Sequence, residues 1–292
     1  MRTAVVVPTY GRVDELRRCL ASVAALDPAP DLAVVVDGNE APAELGALPP
    51  WAGVVREPNR GPSRARNAGW RAAAEAGADL VLFLDDDAVA PAGWVAAHRR
   101  AHERHPRAVV GGRARNLHEG SVVADYADRF VFAPLRDDAG PVRMVASMNL
   151  SCPVAALEDV GGFDEALLTN EDVDLCRRLA AAGWEVRHDP ADDLAVGHHH
   201  PRTWRALVRQ QRAYGRGFVA ARTRWPDLPG ADLLAMPSWR AVAGTVPHLA
   251  RSARAAARAG GVRMVAPSLV RETAYRLAIL AARPSVSTPP RP

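Results

Sequence analysis

The chain has 292 residues, of which 48% are hydrophobic and 24% are charged, and its formal net charge is +4. This composition excludes a disordered chain and predicts one large α/β domain with room for a small appendage. The three cysteines are widely spaced and form no CxxC pair, which argues against a disulfide framework or a thiolate zinc site and fits a reducing cytosol. We also expect no signal peptide and no membrane-spanning segment, since no apolar run approaches about 18 residues.

Three short apolar runs have the continuous pattern of strands that are buried on both faces of a mostly parallel sheet. They are residues 4–7, 32–36 and 80–84. Helical patterns occupy residues 13–23 and 64–76, and Ser63 is the predicted N-cap of the second helix. This alternation predicts a Rossmann-like central sheet flanked by helices, although the GxGxxG fingerprint of a dinucleotide-binding fold is missing.

The rest of the chain divides into three stretches with different patterns. Residues 105–150 are irregular, and we interpret them as sheet edge and loops. Residues 171–182 form an amphipathic helix that ends at Gly183. After residue 201 the pattern predicts amphipathic helices with Arg-rich outer faces. Residues 202–292 contain 16 Arg and 3 acidic residues, whereas residues 1–201 contain 21 Arg and 30 acidic residues.

Three consecutive carboxylates, Asp85, Asp86 and Asp87, follow the third predicted strand. Ligands of open α/β sheets bind at the carboxyl ends of the strands. Asp85 and Asp87 are two residues apart and share a face of the extended chain, so together they suit a divalent cation such as Mg2+ or Mn2+. The alternative is a solvated acidic turn.

Polar residues suited to a nucleotide lie near the ends of the first two predicted strands and at the start of the second helix. Pro8, Thr9, Tyr10 and Arg12 follow the first strand. Asp37 ends the second strand, where its carboxylate is placed to accept a hydrogen bond from the imide N–H of a base. Arg66, in the first turn of the helix, is placed to face a phosphate. Taken singly, each of these residues also fits ordinary loop and capping chemistry.

Two further groups of residues are candidates for catalysis and metal binding. Glu171 and Asp172 lie in the first turn of a predicted helix, whose dipole favours an ionised carboxylate by up to about 1 kcal/mol and predicts a base that is charged at neutral pH. Their alternative role is helix capping. Strand alternation places His198 and His200 on one face and His199 on the other, and one imidazole could complete a metal site. A surface cluster without function is the other interpretation.

In this order, the motifs resemble those of the family 2 glycosyltransferases, which have the GT-A fold. The resemblance covers residues 3–220 and is carried by residues 6–10 (VVPTY), 36–38 (VDG), 59–69, 83–87 (FLDDD), 161–165 (GGFDE) and 171–175 (EDVDL). It implies a mostly parallel α/β sheet flanked by helices. One departure is Val36-Asp37-Gly38-Asn39, where the family commonly has Asp-Asp-Gly-Ser, and this leaves the nucleotide preference open.

The resemblance also assigns roles to individual residues. It implies that Asp85 and Asp87 bind Mn2+ or Mg2+ together with the diphosphate and ribose of a nucleotide-sugar donor, and that His198 is a further metal ligand. Asp172 would act as the general base, with Glu171 beside it. The remaining donor contacts implied are Pro8, Thr9, Tyr10, Arg12, Asp37, Arg66 and Asp86.

The predicted function is therefore a metal-dependent, inverting transfer of a sugar from a nucleoside-diphosphate sugar to an acceptor hydroxyl. The acceptor could be lipid-linked, a glycan or a small molecule. We expect a GT-A domain over residues 1–220, a basic helical extension over residues 221–283 and a disordered tail over residues 284–292. The expected location is the cytoplasm, with peripheral contact to the inner face of the membrane through the basic extension, and we expect no nucleic-acid partner.

Three other functions fit parts of the sequence. A sugar nucleotidyltransferase would need a Gly-rich phosphate loop after the first strand, which we do not find. The Asp-x-Asp-x-Val pattern of residues 85–89 also occurs in haloacid-dehalogenase-like phosphatases, but that class does not account for Asp37 or for residues 161–172. A non-enzymatic protein that binds nucleic acid or a membrane surface would use only the basic extension.

Overall fold

The computed structural model describes residues 1–45, 48–58, 60–132, 135–136, 142–225 and 244–282. The chain forms two compact units: the first unit contains residues 1–119 and 127–200, and the second contains residues 120–126 and 201–292. The predicted boundary at residue 220 falls inside a helix, Trp204–Arg224. The predicted disordered tail, residues 284–292, lies outside the described residues.

The strands of the described residues form one large and two small sheets. They are β1 (Thr3–Thr9), β2 (Leu32–Asp37), β3 (Ala52–Arg56), β4 (Leu80–Leu84), β5 (Ala88–Val89), β6 (Ala108–Gly111), β7 (Ala114–Asn116), β8 (Leu135–Arg136), β9 (Val142–Met144), β10 (Asn149–Pro153), β11 (Glu185–His188) and β12 (Val196–His198). The large sheet has the order β11-β6-β10-β4-β1-β2-β3, and the small sheets are β5-β12-β7 and β8-β9.

The large sheet is mostly parallel, as the sequence predicts. The pairs β1–β2, β1–β4, β2–β3 and β6–β11 are parallel, and only β10 runs antiparallel to its neighbours β4 and β6. Side chains of β1 alternate between two buried clusters, with Val6 on one face of the sheet and Val5 on the other. Both faces are therefore dry, which explains why the strands read as continuous apolar runs.

The helices account for the remaining regular structure of the described residues. They are α1 (Val13–Ala24), α2 (Pro62–Glu75), α3 (Trp94–Arg104), α4 (Val122–Phe130), α5 (Val154–Val160), α6 (Glu171–Ala181), α7 (Trp204–Arg224), α8 (Thr245–Gly260) and α9 (Val265–Ala282). The prediction of Ser63 as an N-cap is wrong, because α2 starts one residue earlier, at Pro62, and Ser63 lies inside it. Proline suits this position because it has no N–H to leave unpaired.

The interpretation of residues 105–150 as sheet edge and loops is also wrong. β6 and β10 are interior strands of the large sheet. The polar residues Asn149 and Ser151 hide β10 from a hydrophobicity pattern, yet both side chains are buried. Asn149 Oδ1 accepts a hydrogen bond from Trp94 Nε1 at 3.0 Å, and Ser151 Oγ lies 2.8 Å from His98 Nδ1. Polar side chains can lie in a core strand when their hydrogen-bonding groups have partners, as these do.

The second unit consists mainly of helices in its described part. α7 and α9 approach closely at Gly215, where an added Cβ would lie only 2.5 Å from the carbonyl oxygen of Tyr275. The rings of Phe218 and Tyr275 pack edge to face, with centroids 5.9 Å apart. None of the helices within the described residues combines the length and apolar character that crossing a bilayer requires.

Candidate active site

The candidate site lies at the carboxyl end of the parallel strands. Thr9, the last residue of β1, is paired in register with Asp37, the last residue of β2. β4 is the neighbour of β1 on its other side, and Asp85, Asp86 and Asp87 follow directly after it. The sheet therefore brings these predicted residues to one edge, where backbone ends leave room for a ligand.

The three consecutive aspartates have different surroundings. Asp85 is partly exposed, and its Oδ1 accepts a hydrogen bond from Arg66 Nη2 at 2.7 Å. Asp86 is buried, and its Oδ2 accepts a hydrogen bond from Thr9 Oγ1 at 2.8 Å. Burial raises the pKa of Asp86 to about 7, although the nearby Arg12 guanidinium opposes the shift. Asp86 therefore anchors the loop to β1, and its neighbours on either side face the site.

Asp85, Asp87 and His198 form the one group of potential metal ligands found within the described part of the chain. One ligand atom from each side chain can be chosen so that all three lie within 4.8 Å of one another. β12 pairs with β5 so that His198 is opposite Ala88, which places the imidazole beside Asp87. Carboxylate oxygens and an imidazole nitrogen are ligands that Mn2+ accepts readily, and carboxylates suit Mg2+. The donor set thus fits the predicted metal.

The contact between Asp87 and His198 also fits a cation. Asp87 Oδ1 is buried and accepts no hydrogen bond, and His198 Nε2 lies 3.2 Å from it. Burial raises the pKa of Asp87, but interaction with the His198 ring and the charge of Arg12 outweigh it and bring the pKa to about 2. Asp87 is therefore a carboxylate at neutral pH, with a lone pair directed at a second potential ligand.

Arg66 joins the metal-ligand group to the predicted base. Its side chain is buried, and Nη1 donates to Glu171 Oε1 at 3.0 Å while Nη2 donates to Asp85 Oδ1 at 2.7 Å. Burial lowers the pKa of Arg66, but the charges of Asp85 and Glu171 outweigh it and raise the pKa overall. The guanidinium that the sequence predicts to face a phosphate is thus held between two carboxylates.

Glu171 and Asp172 lie in the first turn of α6, as predicted. Burial and the charge of Glu171 raise the pKa of Asp172 to about 7, against the opposing charge of Arg66. This corrects the prediction that the helix dipole keeps Asp172 fully ionised at neutral pH, because desolvation exceeds the dipole effect. A carboxyl group with a pKa near 7 is well matched to a general base at neutral pH.

Asn67 fixes the loop that leads into α6. Its Nδ2 donates to the carbonyl oxygen of Phe163 at 2.9 Å, and its Oδ1 accepts from the Phe163 N–H at 2.9 Å. One turn earlier on α2, Ser63 Oγ donates to the carbonyl oxygen of Leu167 at 2.8 Å. Sequence reasoning assigned no role to Asn67, and the signal available was a polar residue on the buried face of a helix next to Arg66.

Gly162 and Gly161 offer a matched test of this loop. Both have a positive φ, at 75° and 74°, but a Cβ at Gly162 would lie 2.5 Å from Asn67 Oδ1, whereas a Cβ at Gly161 would meet nothing within 4 Å. Gly161→Ala is expected to lower the free energy of unfolding by about 1 to 2 kcal/mol, from backbone strain alone. Gly162→Ala should cost about 2 kcal/mol more because it also displaces Asn67 and the Trp70 indole that donates to it, whose Nε1 would lie 2.7 Å from the added Cβ. Urea unfolding of both variants checks this, and equal losses would show that Asn67 and Trp70 do not hold the loop.

The predicted base-recognition residue, Asp37, is already engaged by this chain. Oδ1 accepts from the N–H and the side-chain amide of Asn39, at 3.0 and 2.8 Å, and Oδ2 accepts from the Ala43 N–H at 2.8 Å and from Arg56. Burial raises the pKa of Asp37, but the hydrogen bonds from Ala43 and Asn39 outweigh it and lower the pKa overall. The carboxylate thus organises the loop after β2, and its contact with a base remains a prediction.

The other predicted donor contacts surround the same edge. Pro8 is partly buried near the end of β1, while the side chain of Tyr10 is 53% exposed. Arg12 uses both terminal nitrogens on aspartates: Nη2 lies 2.9 Å from Asp86 Oδ1, and Nη1 donates to Asp87. Tyr10 is thus the predicted contact that is most accessible to a ligand. Arg12 already forms ion pairs with two aspartates of the site.

The three consecutive histidines separate as strand alternation predicts. His198 Nδ1 lies 2.8 Å from His200 Nδ1, whereas His199 faces His118, with His199 Nδ1 3.1 Å from His118 Nε2. His200 is also close to Asp128, whose Oδ1 is 3.3 Å from His200 Nε2. Sequence reasoning missed Asp128 because it lies in α4 and belongs to none of the recognised motifs.

Comparison with known proteins places the chain in a family. A family model described as glycosyltransferase-like family 2 matches residues 1–217. The chain therefore belongs to the family 2 glycosyltransferases, and the predicted class of enzyme is confirmed.

Two curated relatives illustrate the range of the family. The chain is 33% identical over 235 residues to a pre-mycofactocin glycosyltransferase of Mycobacterium tuberculosis, covering 76% of this chain and 48% of the relative. It thus spans about half the length of that relative. It is 30% identical over 187 residues to a glucosyl-dolichyl phosphate glucuronosyltransferase of Haloferax volcanii, covering 56% of each chain.

A solved structure supports the fold. The mannosyltransferase PcManGT from Pyrobaculum calidifontis, in complex with GDP-Man and Mn2+, superimposes with a TM-score of 0.65 at 20% sequence identity. The match covers 96% of this chain and 86% of PcManGT. At this level of identity the likeness shows the fold alone, and it confirms the GT-A prediction.

Proposed function

We propose that the protein transfers a sugar from a nucleoside-diphosphate sugar to an acceptor hydroxyl, with inversion at the anomeric carbon and with a divalent cation held by Asp85, Asp87 and His198. The observation that carries the proposal is the Arg66 bridge, which joins Asp85 to Glu171, the neighbour of Asp172. The proposed metal site and the proposed base thus lie on two sides of one guanidinium. The complex of PcManGT with GDP-Man and Mn2+ supports the choice of donor class and of Mn2+ as the cation to test first.

In this mechanism Asp172 accepts the proton of the acceptor hydroxyl as the oxygen attacks the anomeric carbon. A single displacement inverts that centre. A cation bound to Asp85, Asp87 and His198 would supply positive charge to the departing nucleoside diphosphate. Arg66 holds Glu171 and Asp85 in place, and the exposed ring of Tyr10 is available to the nucleotide.

The proposal is tested by incubating the protein with UDP- and GDP-sugars in the presence of Mn2+, Mg2+ or EDTA. The expected result is slow, metal-dependent release of nucleoside diphosphate and free sugar, with the anomeric configuration of the first-formed sugar determined by NMR. If nucleoside diphosphate were still released in EDTA, the reaction would not depend on a divalent cation. A sugar product that retains the configuration of the donor would argue against a single displacement.

We further propose that the second unit contacts an anionic membrane surface and that the acceptor is lipid-linked. Arg251, Arg254 and Arg258 recur at helical spacing on α8 and are exposed, and the nearby Val262 is 84% exposed. α8 contains no acidic residue to offset this charge. Basic helices with exposed apolar side chains bind anionic lipid headgroups. The name of the Haloferax volcanii relative specifies a dolichyl phosphate, which is consistent with an acceptor of this kind.

Reversal of the three α8 charges tests the membrane contact. Replacing Arg251, Arg254 and Arg258 by Glu is expected to weaken binding to anionic vesicles by about 100-fold, because each arginine near such a surface contributes about 1 kcal/mol. Co-sedimentation with phosphatidylglycerol vesicles measures the effect, and phosphatidylcholine vesicles should bind neither protein. The control variant replaces Arg17, Arg18 and Arg100 by Glu. It changes the net charge by the same amount, at half-exposed positions in the first unit. If both triple variants lost vesicle binding equally, net charge alone would account for the binding and α8 would have no specific role in it.

A further inference from the structure

A chain of polar contacts runs from the proposed metal ligand His198 to a carboxylate on α4. His198 Nδ1 lies 2.8 Å from His200 Nδ1, and His200 Nε2 lies 3.3 Å from Asp128 Oδ1. The side chain of His200 is fully buried. We refer to Asp128, His200 and His198 as the histidine chain.

Neighbouring groups hold His200 and Asp128 in place. The ring of Phe132 stacks on His200, with centroids 4.3 Å apart and planes 27° from parallel. Asp128 Oδ1 also accepts a hydrogen bond from the Asn116 N–H at 2.8 Å. Asn116 ends β7, which pairs with β12. The same small sheet therefore positions His198 and fixes the carboxylate that acts on it through His200.

The order of donors and acceptors in this chain determines where the protons are. The Asp128 carboxylate can only accept, so it favours the form of His200 with its proton on Nε2. Nδ1 of His200 is then an acceptor, and the 2.8 Å contact requires that His198 carries its proton on Nδ1. Nε2 of His198 is then the ring nitrogen on the side of the proposed metal ligands. That is the atom that lies 3.2 Å from Asp87 Oδ1.

We propose that Asp128 and His200 are positioning residues that orient the His198 ring, with Nδ1 toward His200 and Nε2 toward the cation. This inference rests on the proposed metal site. Carboxylate groups that act on a metal-binding imidazole from behind fix its tautomer and orientation, and their loss typically lowers metal affinity 10- to 100-fold. Here the effect passes through a second imidazole.

Asp128→Ala is the diagnostic variant because it removes the oxygen that faces His200 Nε2. Asn116 donates to the same oxygen, Oδ1, so an asparagine at this position would keep an acceptor there for both groups. In Asp128→Ala no group at this position favours a proton on His200 Nε2, and His200 can donate from Nδ1 to His198 instead. The substitution therefore weakens the orientation of the His198 ring without removing any proposed ligand.

The test measures binding of Mn2+ alone, without donor, by electron paramagnetic resonance. In the wild-type protein we expect a 14N coupling from one imidazole, and His198→Ala should abolish it. Asp128→Ala should lower the Mn2+ affinity 10- to 100-fold and weaken or abolish that coupling. The melting temperature is recorded in parallel, so that loss of structure is recognised. The control is Asp192→Ala, the same substitution at a side chain that is 85% exposed, which should leave Mn2+ binding unchanged.

The outcomes separate this inference from the proposed function. If the wild type shows the nitrogen coupling and Asp128→Ala retains both it and the affinity within twofold, the positioning role is overturned while the metal site stands. If the wild type binds Mn2+ without a nitrogen coupling, His198 is not a ligand and the inference falls with it. If it binds no Mn2+, the metal site itself is overturned. Should Asp128→Ala unfold, His200→Gln provides the second test, with the same expected loss of coupling and affinity.

Discussion

Asp172→Asn is expected to lower kcat by about 10²- to 10⁴-fold while leaving the Kd for the donor nearly unchanged. The amide has nearly the same shape as the carboxyl group, but it cannot take the proton of the acceptor hydroxyl. Because Asp172 is separated from the proposed metal ligands by Glu171 and Arg66, the substitution removes a base without removing a ligand. Steady-state transfer rates and calorimetric titration with the nucleoside diphosphate measure the two quantities separately.

The pH profile provides an independent check on the same residue. Burial and the charge of Glu171 raise the pKa of Asp172 to about 7, so the carboxyl group is protonated, and inactive as a base, below that pH. The wild-type kcat/KM is therefore expected to rise about tenfold per pH unit up to pH 7 and then to level off. The kcat/KM of Asp172→Asn should not show this rise with pH. Near-native turnover in the variant would mean that another residue is the base.

Asp87→Ala is expected to abolish metal-dependent donor binding. The substitution removes one of the three proposed ligands, and it also removes the carboxylate that contacts both His198 and Arg12. Charge-assisted metal contacts of this kind are worth several kcal/mol, so the Kd for the nucleoside diphosphate in Mn2+ should rise at least about 100-fold.

The measurement is a pair of titrations with the nucleoside diphosphate, in Mn2+ and in EDTA. The wild type should bind tightly only in Mn2+, and Asp87→Ala should give the same weak binding in both. Asp14→Ala, at a side chain that is 79% exposed on α1, is the control and should behave as the wild type. Tight binding by Asp87→Ala in Mn2+ would exclude Asp87 as an essential ligand.

The sequence predicts the parts of the fold that carry a continuous hydrophobic signal. β1, β2 and β4 are buried on both faces, and their positions and parallel pairing are predicted correctly. β3 is an edge strand with largely exposed side chains, so it leaves no apolar run to detect. β10 is missed for the opposite reason, since it is a core strand whose polar side chains find partners on α3, a helix that lies far away in the sequence.

The candidate site shows the same division. Asp85 and Asp87 follow the end of a central strand, which the hydrophobic pattern predicts, and His198 was added to them by the resemblance to a known family. In the structure β12 brings His198 to this group by pairing with β5. The partners of single side chains were not predictable, because they come from segments far apart in the sequence. Arg66 meets Glu171 across 105 residues, and the partners of Asp37 depend on the path of the loop after β2.

The placement of β10 has a consequence for how the protein is made. In the large sheet, β10 lies between β4 and β6, so the backbone pairing of β6 and β11 with the other strands of that sheet requires a strand that begins at residue 149. Until residue 171 has also emerged from the ribosome, the buried guanidinium of α2 lacks one of its two carboxylate partners. A nascent chain that stops short of α6 is therefore an incomplete folding unit, and it exposes an open sheet edge of the kind that chaperones protect during synthesis.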